Sequence, residues 1–428
     1  MKKCIVIGAG FAGLSAAVYL SNKNITTTIL EASPKPGGRA YSFLAKDGKT
    51  IIDNGQHILM GCYIETLRFM NMIGASENLI YQCNLEISFL QNGGKQLKLK
   101  AASLPYPFNL LFGILNYKAI RLTDRLRIIK FFLKLFTFSD DQLNSMTVED
   151  WLLKEKQNLS INKTLWEIIA IGALNTSVSK ASAKVFSDIL KEMFFNGKFA
   201  STIILPKYGL SETYCNKAEA YIEKSGSKIK SSHPVNGFKI EDQRITEVHT
   251  NGGIISDIDY VVSAIPLYSL EKILPVSYLD KIPELKYSSI LTVHIWLMDN
   301  PLSENFYGLI NSPLHWIFNK KTHLTLVISD ADYLMDQSKD EIYSKVSMEL
   351  KNFAGINEDQ ITDFQVIKEK RATFIPTESI NNLRPSVKTG LDNLFVAGDW
   401  TDTGLPSTIE SAVKSGRMAA EAILSTVV

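Results

Sequence analysis

Residues 4–20 read CIVIGAGFAGLSAAVYL. A short apolar run passes directly into a turn with glycines at Gly8, Gly10 and Gly13, and small residues then continue from Leu14 as a helix. A glycine-rich turn between a buried strand and a helix is the setting in which a pyrophosphate is held. Gly8 permits the tight turn, Gly10 lets the phosphates approach the backbone, and Gly13 lets the helix pack on the strand. The helix opens on Phe11 and Ala12, and its N-terminus supplies N–H donors and positive dipole. A second strand over 27–30 runs into Glu31, the acid expected about twenty residues on for ribose hydroxyls.

Met1-Lys2-Lys3 before an apolar stretch also resembles the start of a secretory signal, but the glycine spacing, Tyr19 and Glu31 favour the dinucleotide reading. The loop that follows, Ala32-Ser33-Pro34-Lys35-Pro36-Gly37-Gly38-Arg39, is one that an NAD-binding unit has no reason to carry. At the far end, residues 393–400 read NLFVAGDW, another buried strand ending in Gly398-Asp399, and a final helix opens within 406–412. The two ends therefore read as complementary halves of one flavin site.

The chain has 428 residues, too many for one core, so two domains are expected. The formal charge of +2 gives no electrostatic case for nucleic acid. Mean hydropathy is +0.02, yet no apolar run reaches the ~18 residues of a membrane span. Cys4, Cys62, Cys83 and Cys215 have no metal-ligand spacing, so packing roles and no metal site are expected. That pattern, with no secretory signal read, favours the cytoplasm.

The fold class expected is α/β: a discontinuous Rossmann-type domain for FAD and a mixed α+β substrate domain. The FAD domain is assigned residues 1–84, 196–266 and 385–428, and the substrate domain 85–195 and 267–384. A hairpin is expected over 85–99, turning at Asn92-Gly93-Gly94, with helices over 106–195 and a helix over 211–224. Strands are expected over 231–240, 245–250, 254–264, 291–298, 324–329 and 364–370, with 260–266 reading as the closing strand and a helix over 340–353. A single Gly-x-Gly-x-x-Gly leaves no evident second nucleotide domain, and the electron donor stays unnamed.

The segment Asp53-Asn54-Gly55-Gln56-His57, taken with Gly398-Asp399-Trp400-Thr401-Asp402-Thr403-Gly404-Leu405-Pro406, resembles the hydroxysqualene dehydroxylases within the amine oxidase and phytoene desaturase flavoproteins. The resemblance implies FAD as cofactor. It places Gly38 and Arg39 beside the extended dinucleotide, Arg39 near the phosphates, and Gly55, Gln56 and His57 beside the ring. Asp399 would bind the ribityl or phosphate region, and the helix starting at Thr408-Ile409 would aim its N–H groups at the ring. Ala32 and Val235 complete the cofactor set. The implied reaction is reductive: hydroxysqualene, a C30 polyisoprenoid alcohol, loses hydroxyl and gains hydride to become squalene. His57 is the first candidate to protonate the departing hydroxyl, and the alternative is that it only orders its loop. His294 reads as a core histidine.

A carotenoid-type desaturase is the alternative within enzymes, and an amine oxidase a more distant one, with Trp400 as one wall of an aromatic pair. A non-catalytic prenyl-binding escort is a further alternative, disfavoured by the intact phosphate-binding glycines. Finally, a helix expected over 124–136 is amphipathic and basic, and the stretch 105–115 before it is strongly apolar. It reads either as a core-facing helix with a solvated face or as a peripheral contact on the inner face of a membrane, with Arg127, Lys130 and Lys134 on head groups.

Overall fold

The computed structural model describes residues 2–426. β1 (Lys3–Ile7), α1 (Phe11–Ser21) and β2 (Thr26–Leu30) open the chain. After a segment carrying the short strands Ser42–Leu44, Ile51–Asp53 and Leu59–Met60 come α2 (Ile64–Met72), the hairpin β3 (Glu86–Gln91) and β4 (Lys95–Lys100), then α3 (Phe108–Leu115), α4 (Leu122–Lys134) and α5 (Ala183–Phe195). α6 (Asn216–Lys224) leads to β5 (Lys228–Lys230) and β6 (Tyr260–Ser263). β7 (Tyr287–Leu297), β8 (Phe306–Leu309), β9 (Trp316–Asn319), β10 (Leu324–Ser329), α7 (Lys339–Ala354) and β11 (Ile361–Phe374) follow. β12 (Leu394–Val396) and α8 (Ile409–Leu424) close the chain.

Two sheets organise these elements. The first has the order β5-β2-β1-β6-β12, and every neighbouring pair in it is parallel. Its central strand β1 is buried from Cys4 to Ile7, as a parallel strand covered on both faces requires. α1 covers one face, and its Ala16 and Ala17, fully buried, let α8 approach closely enough for Ser15 Oγ to donate to Val413 O at 2.8 Å. The observed architecture is the expected α/β class.

The second sheet has the order β11-β7-β10-β9-β8-β3-β4 and is antiparallel except where β8 pairs β3. Side chains alternate across a strand, and β7 uses both faces. Leu291, Val293 and Ile295 pack with α7 residues such as Val346 and Leu350, whereas Ile290 packs on the other side with the helices of 108–195. The helical insertion and α7 therefore sandwich this sheet.

Three expectations shift on the structure. The strand expected over 231–240 is broken, because Ser232 takes a left-handed φ of 57° and Pro234 follows; β5 stops at Lys230 and a new strand begins at Val235. The strand expected over 254–264 likewise divides into Gly253–Ile255 and β6. The helix expected from residue 124 begins at Leu122. Asp124 does not cap it: this buried carboxylate receives Arg127 Nη1 at 2.6 Å and Asn158 Nδ2 at 2.9 Å.

Candidate functional site

One cavity of about 1570 Å³ runs between the two sheets. Gly8, Gly10, Phe11, Ala12, Glu31, Ala32, Gly38, Arg39, Gly55, Gln56, His57, Val235, Gly398, Asp399, Thr408 and Ile409 all line it. Gly13 is the exception and lies beneath. A Cβ there would sit 1.9 Å from Gly8 O, so α1 can rest on the turn only with glycine at this position. Gly8 itself has φ +97°, the left-handed region that makes the turn. The expected spacing roles of these two glycines thus have a direct steric basis.

Glu31, at the end of β2, is 9% exposed and works as a clamp. Its Oε2 accepts from Ala9 N at 2.7 Å and its Oε1 from Ser33 N at 2.8 Å. Each carboxylate oxygen keeps a further lone pair for another donor. Phe11 stacks on buried Tyr214, with centroids 3.8 Å apart.

Arg39 and Asp399 meet across the cavity wall. Arg39 Nη2 donates to Asp399 Oδ1 at 2.7 Å, and Nη1 donates to Ala372 O of β11 at 2.7 Å. Ser407 Oγ donates to the other oxygen of Asp399. Burial opposes the charge on Asp399, but the Arg39 guanidinium and the Ser407 hydroxyl hold its carboxyl below the usual range. Arg384 carries the next turn: it donates to Asp399 O at 2.8 Å, Leu405 O at 2.6 Å and Thr403 Oγ1 at 3.0 Å. Burial lowers its pKa to about 10. No local motif marks Arg384 in Asn382-Leu383-Arg384-Pro385, so sequence reasoning missed it.

The start of α8 lies at this cavity, capped by Thr408, whose Oγ1 accepts from Ser411 N at 3.2 Å. Glu410 in the first turn is buried and ties α8 to α2, accepting from Glu65 N and Thr66 N, both at 2.8 Å. Trp400, proposed above as an aromatic wall, is 3% exposed and donates its indole N–H to Ile265 O at 3.0 Å. The ring is therefore held rigidly where it lines the cavity.

The 53–57 loop is fixed from below. Asp53 accepts from Ser42 Oγ at 2.7 Å and Leu210 N at 2.8 Å, with Lys320 Nζ at 3.8 Å. Asn54 bridges Arg39 O and Tyr41 N, at 2.5 and 3.2 Å. His294, fully buried on β7, joins Asp53 O at 3.0 Å to Thr325 Oγ1 at 3.1 Å. It is a satisfied core histidine, and burial together with the neighbouring His323 pushes its pKa down to about 3.

His57 differs from it. Its Nε2 and the Oε1 of Gln56 are buried without a hydrogen-bond partner among the described residues. Two orphaned polar atoms side by side on a cavity wall fit a ligand edge that would satisfy them. Burial, then the charges of Arg39 and Lys320, lowers the His57 pKa to about 4, so its resting form near neutrality is the neutral imidazole.

Beyond this loop the cavity carries many apolar side chains. Ile87 and Phe89 of β3, Trp316 and Phe318 of β9, Val327 of β10 and Ile290 of β7 form its floor. Ile168, Val185, Ile189 and Phe194 from the helical insertion form its roof. These apolar side chains share the lining with charged ones of the helical insertion, Asp140, Lys184, Asp188, Lys191 and Glu192. Among the described residues no group of His, Cys, Asp and Glu has metal-site geometry.

The family described as flavin containing amine oxidoreductase matches residues 11–424. Hydroxysqualene dehydroxylase of Rhodopseudomonas palustris is 29% identical over 439 residues, covering 99% of each chain. Zeta-carotene desaturase of a Synechocystis species is 24% identical, covering 98% of this chain and 96% of that one. Among solved structures, an oxidoreductase from Methanosarcina mazei superposes with a TM-score of 0.73 at 16% identity, covering 99% and 100% of the two chains.

Proposed function

Because this chain belongs to the flavin containing amine oxidoreductases and is an FAD-dependent oxidoreductase, we propose that it reduces hydroxysqualene to squalene. The observation that carries this reading is the apolar stretch of cavity lining beyond the flavin-side loop at Gln56-His57. A long hydrocarbon fits against these apolar side chains, and its hydroxyl would satisfy the orphaned Gln56 Oε1 and His57 Nε2.

Bound FAD, once reduced, supplies the hydride. The protein supplies the rest. The C–O bond breaks with its electron pair leaving on oxygen, a proton converts that oxygen to water, and the hydride fills the vacant carbon orbital. The hydroxyl stands beside a double bond, so the transient charge on carbon is allylic and delocalised. Ile87, Phe89, Trp316 and Phe318 exclude water that would otherwise recapture it. His57 gives the proton. With its pKa near 4 the imidazolium is scarce at neutrality but strongly acidic when formed. Asp399 and Arg39 would hold the cofactor, and the α8 N-terminus at Thr408 and Ile409, on the same cavity, would offer it positive dipole.

The test is anaerobic incubation of the flavin-reduced protein with hydroxysqualene, phytoene and a simple amine, followed by product analysis. Squalene with stoichiometric flavin oxidation is expected. Desaturation of phytoene by the oxidised protein, with hydroxysqualene untouched, replaces this reading with a desaturase.

A further inference from the structure

We propose that the outer face of α3 and α4 docks on an anionic lipid bilayer and seats the nearby end of the cavity against it. For the identity of what enters, this rests on the polyisoprenoid reading above.

α4 has two apolar faces. Ile128, Phe131 and Leu135 form the core-facing one and are at most 1% exposed. Leu122, Leu126, Leu133 and Phe136 recur at helical spacing on the opposite side and are 60%, 55%, 77% and 61% exposed. A surface helix of a water-bathed protein needs only one apolar stripe. α3 adds Phe108 and Phe112, 54% and 42% exposed.

The charge around this face has one sign. Residues 104–138 hold six basic residues and one acid, Asp124, although the whole chain is only +2. Two of the three cations expected to meet head groups are committed elsewhere: Arg127 pairs with Asp124 and Lys134 with Glu155, both at 2.6 Å. Lys118, Arg121 and Lys130 are exposed and make no ion pair among the described residues. Apolar side chains bordered by free cations match an acyl boundary beneath anionic head groups. A second copy of the chain would instead set like charges against like. No helix among the described residues is long and apolar enough to cross a membrane, so the contact lies on the bilayer surface.

The stripe also ends where the cavity begins. Phe136 packs edge-on against Phe195 at 4.8 Å, with Lys191 Nζ 5.7 Å from its ring, and Phe132 meets Phe194 at 5.4 Å. Lys191 and Phe194 both line the cavity. A lipid-borne substrate leaving the bilayer at this rim need not cross water.

The FAD-loaded full chain is floated with phosphatidylglycerol–phosphatidylcholine vesicles and with pure phosphatidylcholine vesicles. Binding to the anionic vesicles should fall at least about tenfold in Leu126→Ser/Leu133→Ser/Phe136→Ser and in Lys118→Glu/Arg121→Glu/Lys130→Glu. Flavin content and turnover in detergent should persist in both. Should the triple serine variant lose flavin, Leu133→Ser alone, at the most exposed position, should still weaken binding. Unchanged binding in these variants, or no vesicle binding by the wild type, overturns the proposal. So does a wild-type dimer that the serine variant dissolves while vesicle binding is absent. Normal vesicle binding without turnover of hydroxysqualene would instead defeat the substrate reading and leave the docking face standing.

Discussion

Arg39 donates through Nη2 to Asp399 Oδ1 at 2.7 Å across 360 positions of sequence. The pair joins the loop after β2 to the turn after β12, so the two ends of the candidate site hold each other in place. Asp399 is 6% exposed, and its remaining oxygen receives the Ser407 hydroxyl.

Removing Arg39 leaves that carboxylate buried and short of a counter-charge. Arg39→Leu should lower stability by about 1–3 kcal/mol, less than a fully buried pair because the Arg39 side chain is 37% exposed. Urea unfolding with flavin occupancy read in parallel tests this. Because folding lowers the Asp399 pKa from 3.8, the wild-type contribution is present above that pH and is lost as pH falls through the lower folded value. An Arg39→Leu protein with wild-type stability and full flavin would dismiss the pair as a structural joint.

Glu31 clamps the first turn, and each of its carboxylate oxygens keeps a lone pair facing no protein donor beyond these among the described residues. Glu31→Ala should reduce FAD affinity by about tenfold to a hundredfold, the loss of a hydrogen bond to a charged group. The two backbone N–H groups of Ala9 and Ser33 lose their acceptor as well, so the melting temperature should fall with it. Isothermal titration of the apoprotein with FAD separates the two effects, and undiminished affinity would remove Glu31 from the cofactor set.

If His57 delivers the proton, kcat/KM should rise as pH falls from neutrality, by about tenfold per unit, and level off near the His57 pKa of about 4. His57→Gln should keep FAD and lose ~10²–10⁴-fold of turnover together with that slope. A variant that keeps both rate and pH profile would leave His57 only the ordering of its loop.

Stability should run the other way in the same window. His57, His294, His315 and His323 are all pushed well below 6.5, to about 4, 3, 4 and 4, burial being the leading cause in each. Between the unfolded and folded values the unfolded chain binds more protons, so folding weakens as pH drops from about 6.5 toward 4, at about 1.4 kcal/mol per unit for each group. Denaturation midpoints across pH 7.5 to 4.5 check this. A flat profile would mean that these imidazoles are solvated in solution.

The cofactor half of the cavity was legible from sequence because its parts are local. A tight turn at Gly8, a glycine that lets α1 rest on it at Gly13 and a cap at Thr408 each depend on neighbours a few residues away. What holds them together was not legible. Arg384 reaches Asp399 O and Leu405 O, and His294 reaches back to Asp53 O, 241 positions upstream. No motif announces such bonds, because the donor needs only to be polar and in reach once the chain is packed.

The helix after residue 121 makes the same point about surfaces. Its periodicity identified an amphipathic helix, but periodicity counts apolar faces without saying which meets a core. Packing against Trp151 and Trp166 took the face of Phe131 and left that of Leu126 and Leu133 in solvent, while Asp124 and Glu155 neutralised two of the cations expected on its rim. By itself, then, the sequence determined the strand–turn–helix that shapes a dinucleotide site, since backbone sterics and 3.6-residue periodicity act over a few residues. Only the tertiary structure decided that His57 is kept neutral and that Arg39 and Arg384 converge on Asp399, because desolvation and charge pairing depend on which distant side chains folding brings within a few ångströms.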